Sequence, residues 1–374
     1  MKQNLKHFLR KKKFIGFFII LISVNLSFGQ SKAEKIDQLM NLYEEYGKFN
    51  GSVLVAEKGE VIYKKGIGLA NMEWNIPNRS NTKHRIASIT KQFTAMLIMQ
   101  LVEQGKLNLN VPISTYVPDY PKSTGNQITL HHLLTHTSGI PNFRAFKIFN
   151  NISRNSHTPK EIVNVFKDSM LQFIPGEKFE YSNSGYALLG LIIENVTGKT
   201  YQQNLQESIF NPLKMNNSGY DQHETILLNR SSGYTKNGSA FKNSDYIDMS
   251  IPYAAGSIYS TVEDLYLWDQ ALYTNNLLSL KSRELMFFNH TSAGPWHYGY
   301  GWVIKEDAKG KSDEYLKILE HNGGINGYNT MISRIPLDKH LIVLLNNTGN
   351  APLDEINLAI RNILYDKPYL LPGK

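Results

Sequence analysis

The chain has 374 residues, 41% of them apolar and 19% charged, with no cysteine. That balance suits a globular protein and excludes a disordered one, while the missing cysteines exclude disulfides and thiolate metal sites. The formal net charge is +8, but Lys2, Lys6, Arg10, Lys11, Lys12 and Lys13 supply six of those charges and residues 1–29 hold no acid. The rest of the chain is therefore near +2, and nucleic acid is not expected as a partner.

The basic head is followed by the uncharged run Phe14 to Val24 and by small residues at Ser27-Phe28-Gly29. This is the three-part layout of a secretory signal peptide over residues 1–29. The run is shorter than the ~20 residues that span a bilayer. It predicts a periplasmic or secreted protein with no membrane span once the signal is removed; an uncleaved N-terminal anchor is the other reading.

In the mature part, Lys32 to Tyr46 has Ile36, Leu39, Met40 and Tyr43 at helical spacing. Gly51 to Ala56 and Val61 to Leu69 read as two strands around a Lys58-Gly59 turn. Ser88 to Gln104 reads as a helix stopped by Gly105, and its apolar residues surround it, so it is expected to be buried. Further helices are expected at Thr129 to Thr135, Pro159 to Ser169, Gly185 to Thr197, Tyr201 to Ile209, Thr261 to Tyr273 and Asp354 to Leu364. Tyr298 to Ile304, Tyr315 to Glu320, Tyr328 to Ile335 and His340 to Asn346 read as strands. The order implies an antiparallel sheet built from both ends of the chain, residues 30–85 and 251–374, with a helical lobe at 86–250 inserted between. Loops 140–160 and 214–250 are expected to shape a pocket between the lobes.

Three short patterns carry chemistry. Ser88-Ile89-Thr90-Lys91 puts a hydroxyl and an amine on one helix face, and a desolvated amine can accept the hydroxyl proton. The same S-x-x-K spacing occurs at Ser80 and Ser239, in polar surroundings that would not bury a lysine. The plain structural alternative for Ser88 is a helix N-cap. Tyr181-Ser182-Asn183 offers a phenol, whose pKa a neighbouring lysine would lower, and an amide able to bond substrate or hold Lys91. His321-Asn322-Gly323-Gly324 is placed just after a strand, where glycines admit a substrate to the strand edge. The N–H groups of Ser88 and Gly324 are candidates for an oxyanion hole.

Taken in order, Ser88-x-x-Lys91, Tyr181-x-Asn183 and His321-x-Gly323 resemble the class C β-lactamase and low-molecular-mass penicillin-binding protein family of serine hydrolases. Tyr181 follows Ser88 by 93 residues and His321 follows Tyr181 by 140, which is the family's order and scale. Leu133 to Ile140, Ala255 to Thr261 and Tyr298 to Trp302 resemble the family's flanking segments. The resemblance implies an α/β (α+β) fold of the β-lactamase/transpeptidase type. It also implies an acyl-enzyme route on a small-molecule or peptide amide or ester. Ser88, Lys91 and Tyr181 would be catalytic; Asn183, His321, Gly323 and Gly324 would bind substrate or the oxyanion, with His321 either supporting Tyr181 or facing the substrate. No cofactor or metal is implied.

One departure stands out: many family β-lactamases carry lysine where His321 stands. A mostly neutral imidazole would hold a substrate carboxylate less well, which favours a peptidase- or esterase-like member. A penicillin-binding sensor that is acylated with little turnover is the alternative function. A metal amidase built on His131, His132 and His136 lacks an H-E-x-x-H pattern, and an α/β-hydrolase lacks its G-x-S-x-G.

Overall fold

The computed structural model describes residues 30–238, 240–308 and 315–373. The expected signal segment, residues 1–29, lies outside the described residues, and so does Ser239. The chain divides into residues 1–31 and 32–374, and the second unit carries the architecture below.

Its centre is an eight-stranded antiparallel sheet. In chain order the strands are β1 (Gly51–Glu57), β2 (Glu60–Ile67), β3 (Thr291–Ser292), β4 (His297–Tyr298), β5 (Val303–Ala308), β6 (Tyr315–Ile325), β7 (Tyr328–Ile335) and β8 (His340–Asn346). They lie side by side as β3-β4-β5-β6-β7-β8-β1-β2, so the first and last strands of the chain pair within the sheet, with Gly51 opposite Asn346. Successive side chains of a strand point to opposite faces. Accordingly Val53, Val55, Ile342 and Leu344 enter one core, while Leu54, Ala56, Leu341, Val343 and Leu345 enter the other. A strand covered on both faces must be apolar throughout, which explains the unbroken Leu341-Ile342-Val343-Leu344-Leu345 run.

Helix α1 (Lys32–Glu45) and the C-terminal helix α6 (Leu353–Leu364) cover the first face with Ile36, Leu39, Met40, Ile356 and Ile360. The other face carries the larger core, shared by α2 (Thr90–Glu103), α3 (Leu130–Leu134), α4 (Asn183–Thr197) and α5 (Val262–Ala271). Helix α2 is buried on every side from Thr90 to Met99. The expected all-round burial is found, and it takes the lysine at position 91 into the core with the apolar residues.

Three expectations change in detail. Tyr298 to Ile304 is not one strand: the chain leaves β4 at Tyr298, bends through 299–302 and re-enters the sheet as β5 at Val303. Gly301, at φ +78°, makes that bend. A Cβ there would sit 2.7 Å from the Lys91 carbonyl oxygen, so only glycine lets the bend press against α2. Strand β6 runs past Glu320 to Ile325, so His321 to Gly324 stand inside the strand and not in a turn after it. Finally, the 159–169 helix ends at Asn164.

Candidate active site

Ser88 sits in a single 3-10 turn, Ala87–Ile89, that leads into α2. Residue Ile86 occupies the cap position without a side-chain bond, so Ser88 is not the N-cap and its hydroxyl is free for other work. Ala87 before it has φ +48°, a costly left-handed conformation for a residue with a Cβ. The turn is held by neighbours: Thr330 Oγ1 donates to the Ile86 carbonyl at 2.9 Å, and the Ile86 N–H donates to the Ile258 carbonyl at 2.9 Å. In the first turn of a helix the N–H groups lack intrahelical acceptors, which leaves the Ser88 N–H available to a ligand.

Lys91 is fully buried and reaches back along α2. Its Nζ is 3.2 Å from Ser88 Oγ, 2.9 Å from Asn183 Oδ1 and 2.8 Å from the Ala255 carbonyl oxygen. It lies over the ring faces of Tyr181 and Tyr186, at 4.8 and 5.5 Å. Burial, helped by the charge of Arg144, holds this amine well below the usual lysine range. A neutral amine has two N–H bonds and one lone pair. Asn183 Oδ1 and the Ala255 carbonyl can only accept, so they take the two N–H bonds. The lone pair is left for the Ser88 hydroxyl.

The orientation of Asn183 is set by its own neighbours. Asn142 Oδ1 accepts from the Arg144 N–H at 3.3 Å, which identifies that atom as oxygen, and Asn183 Nδ2 donates to it at 3.4 Å. The other end of the Asn183 amide, the oxygen, therefore faces Lys91.

Tyr181 is in an extended segment before α4, pinned by Glu180 N–H to the His136 carbonyl at 2.9 Å. Its hydroxyl is buried, and Ser88 is the side chain that faces it. The sequence suggests a phenol acidified by its lysine, and the structure shows the reverse. Burial pushes it up, only partly offset by Ser88 and Arg144, because a neutral Lys91 supplies no stabilising charge.

Behind Tyr181 runs a directed chain of hydrogen bonds. Ser182 N–H donates to His136 Nδ1 at 3.2 Å, so the His136 proton is on Nε2, which meets Tyr298 Oη at 3.3 Å. Tyr298 then donates to His321 Nε2 at 3.0 Å, and His321 Nδ1 donates to the Asn322 carbonyl at 2.7 Å. Each tautomer follows from the bond before it. Both imidazoles are neutral; burial brings His321 down to about 3 and holds His136 well below the usual histidine range.

The structure thus brings Ser88, Lys91, Tyr181 and Asn183 together and sets His321 behind them. His321 was expected to support Tyr181 or to face the substrate; it is 4% exposed and both ring nitrogens are already bonded, which fits the supporting part. Gly323 differs from expectation. It does not line the cleft, and a Cβ on it would lie 2.2 Å from the Ile86 carbonyl oxygen, so it lets β6 pack against the Ser88 turn. Gly324 does line the cleft, with nothing within 4 Å of where its Cβ would stand.

That cleft holds about 380 Å³ of open space and is walled by Ser88, Asn183 and Gly324 together with Phe143, Arg144 and Ile247. The last three come from the two loops expected to shape it. Sequence reasoning missed Arg144, the Ala255 carbonyl and the His136–Tyr298 chain. A backbone carbonyl leaves no trace in sequence, and the other two become visible only when distant segments meet. The histidines weighed as metal ligands are otherwise engaged. His131 bonds Tyr300 Oη at 2.8 Å, His132 completes the cap of α3, and no group of metal-binding side chains occurs among the described residues.

Comparison with known proteins gives the family and the fold. The Beta-lactamase family model matches residues 33–365. Penicillin-binding protein 4* of Bacillus subtilis (strain 168) is 31% identical over 370 residues, covering 92% of this chain and 79% of that protein. Teichoic acid D-alanine hydrolase of Staphylococcus aureus (strain MRSA252) is 29% identical over 346 residues, covering 91% of this chain and 80% of that protein. The crystal structure of D-amino acid amidase from Ochrobactrum anthropi SV3, complexed with L-phenylalanine amide, superposes with a TM-score of 0.76 at 29% identity, over 88% of this chain and 99% of that one. The chain belongs to the beta-lactamase family of serine hydrolases. The fold is of the β-lactamase/transpeptidase type, as the motifs implied.

Proposed function

We propose that this protein cleaves an ester or amide through an acyl-enzyme on Ser88. The observation that carries the reading is the buried Lys91 amine, held well below the usual lysine range and set between two acceptor oxygens and Ser88 Oγ. Lys91 takes the hydroxyl proton as Ser88 Oγ bonds to the substrate carbonyl carbon. The carbonyl oxygen, now negative, is met by the N–H groups of Ser88 and Gly324. As the carbonyl–leaving-atom bond breaks, that atom takes a proton from Tyr181, which Lys91 replenishes. A high phenol pKa suits a proton donor, because the group stays protonated until the leaving atom takes its proton. Water then attacks the acyl-enzyme by the same steps reversed. His321 and His136 act as supports that fix the wall behind Tyr181.

The relatives named for D-alanine and D-amino acid hydrolysis support an ester or amide of modest size. The neutral His321 supports an esterase- or peptidase-like enzyme over a dedicated β-lactamase, since no fixed cation stands there to hold a lactam's carboxylate. Hydrolysis of a cephalosporin near the diffusion limit would overturn that preference. The signal-like segment supports export, and no helix among the described residues is long and apolar enough to cross a membrane.

The test is mass spectrometry of the purified protein after exposure to a fluorophosphonate and, separately, to a penicillin. The fluorophosphonate adduct is expected on Ser88 and absent from Ser88→Ala. A label on another residue overturns the assignment. A penicillin adduct on Ser88 that persists without turnover of any ester would instead favour the sensor.

A further inference from the structure

The two loops that wall the catalytic cleft are fastened to each other. Phe143, Arg144 and Phe149 enter the cleft from one loop, and Ile247, Ile251 and Pro252 from the other. Phe149 opens a single helical turn, Phe149–Ile152, whose C-cap is Ser153. The Ser153 carbonyl accepts the Asp248 N–H at 2.9 Å. Further along the same loop, the His157 N–H donates to Ser250 Oγ at 2.9 Å. These two hydrogen bonds cross from loop to loop, and both are made by residues that stand between Ile247 and Ile251.

The Asp248 side chain keeps its half of the joint in shape. Its Oδ1 accepts from the Ser250 N–H at 2.9 Å and from Ser250 Oγ at 2.6 Å, and its Oδ2 accepts from Tyr246 Oη at 3.1 Å. Ser250 spends its one O–H on Asp248, so its oxygen lone pairs are left for the His157 N–H. Burial pushes the Asp248 carboxyl up, and the bonds from Ser250 and Tyr246 more than offset this, holding it below the usual carboxylate range. Phe143, Ile247 and Ile251 are buried, so the wall they form is packed and yields to a larger ligand only if the loops part. The cleft, at about 380 Å³, stands at the small end of the ~300–1,000 Å³ that ligand pockets hold.

We infer that Asp248 is a positioning residue that determines specificity: it clasps the two loops into one wall, and that wall limits the size of the substrate group that fits beside Ser88. The inference rests on the acyl-enzyme reading above and bounds its substrate. Opening the clasp lets the wall move back, so larger groups gain while small ones change little.

Two pairs of esters test it, because the wall acts on whichever half of the substrate lies against it. 4-Nitrophenyl acetate and 4-nitrophenyl octanoate vary the acyl half with one leaving group. Phenyl acetate and 4-biphenylyl acetate vary the leaving half with one acyl group. For each pair the ratio of kcat/KM, large over small, is taken; this cancels any general loss of activity or of folded protein. In Asp248→Ala the ratio is expected to rise about tenfold over wild type in at least one pair, the lower size of discrimination by one methylene in a fitted pocket. Asp248→Asn keeps an acceptor oxygen for Ser250 and should stay within about threefold of the wild-type ratio. Ser250→Ala removes the bond to His157 and should raise the ratio as Asp248→Ala does; it carries the test should Asp248→Ala not fold. A rise under about threefold in both pairs, or a rise as large in Asp248→Asn, overturns the inference while the hydrolase reading stands. Failure of the wild type to cleave any of these esters also overturns it, and fluorophosphonate labelling of Ser88 then tells whether the hydrolase reading falls as well.

Discussion

Gly323→Ala tests whether strand β6 sets the position of the nucleophile. The added methyl would stand 2.2 Å from the Ile86 carbonyl oxygen and 2.3 Å from Thr330 Oγ1. A comfortable carbon–oxygen contact is about 1 Å longer, so either β6 or the 86–88 turn must retreat by about that distance. The strand is hydrogen-bonded into the middle of an eight-stranded sheet, with Gly323 opposite Thr330. The short turn, with its left-handed Ala87, is the softer partner. A displacement of ~1 Å costs a reacting group ~10²-fold in rate. Overpacking of this kind typically costs ~1–3 kcal/mol of stability. Hydrolysis of a nitrophenyl ester should therefore drop by ~10²-fold while urea unfolding shows a folded protein with a lowered midpoint. Gly324→Ala is the control for stability, since nothing lies within 4 Å of its Cβ position, and it should unfold like the wild type. If Gly323→Ala hydrolyses the ester within about threefold of wild type and labels with fluorophosphonate at the same rate, the strand does not position Ser88 and the packing argument fails.

Tyr181→Phe removes one hydroxyl without opening a cavity, so kcat should fall ~10²–10⁴-fold with the protein still folded; a loss under about tenfold would assign the leaving-group proton elsewhere. The active form of Lys91 is neutral, so kcat/KM should rise with pH through an amine pKa held well below 10.5. Arg144→Gln removes a positive neighbour, makes the ammonium less unfavourable and should move that acid limb to higher pH; a limb that stays put or moves down refutes the coupling. His84 and His321 are both brought to about 3 in the folded protein by burial. The unfolded chain takes up their protons near pH 6.5 and the folded one does not, so stability is full above that value and falls as pH drops toward 3. The slope is ~1.4 kcal/mol per pH unit for each group. Urea unfolding at pH 7, 5 and 4 measures it, His84→Asn should reduce it, and a flat profile would refute the assignment of neutral, buried imidazoles.

What the sequence makes legible follows from how locally each feature is determined. Ser88 and Lys91 share one helical turn, so spacing alone predicts their meeting, and the apolar surround of Phe93, Met96, Leu97 and Ile98 predicts the burial. The expected α1, β1, β2, β7, β8 and α6 match because each shows its own period and its own turn residues. Errors arise where an alternating pattern continues through a change of direction. Tyr298-Gly299-Tyr300-Gly301-Trp302 alternates like a strand, yet all three of its aromatic rings are buried and its Gly301 turns the chain onto α2. His321 shows the limit for side-chain roles. The resemblance leaves it as a support for Tyr181 or a group facing the substrate, and only the arrival of Tyr298 from another strand reveals that its nitrogens are taken.

The protonation state of Lys91 links the fold to the chemistry. A lysine on a helix buried all round cannot remain an ammonium without an anion, and no carboxylate is bonded to it among the described residues. Its three polar neighbours are instead an amide oxygen, a peptide carbonyl and a hydroxyl. Two acceptors and one donor match the two N–H bonds and single lone pair of a neutral amine. An Asp in place of Asn183 would reverse this. It would supply the missing anion, return Lys91 to the ammonium form and remove the base from Ser88, with no change in side-chain size and the loss of one hydrogen bond, from Asn183 Nδ2 to Asn142 Oδ1. Asn183→Asp should therefore keep the fold and lose activity at neutral pH, and a variant as active as the wild type would show that the amide oxygen is not what keeps the lone pair free.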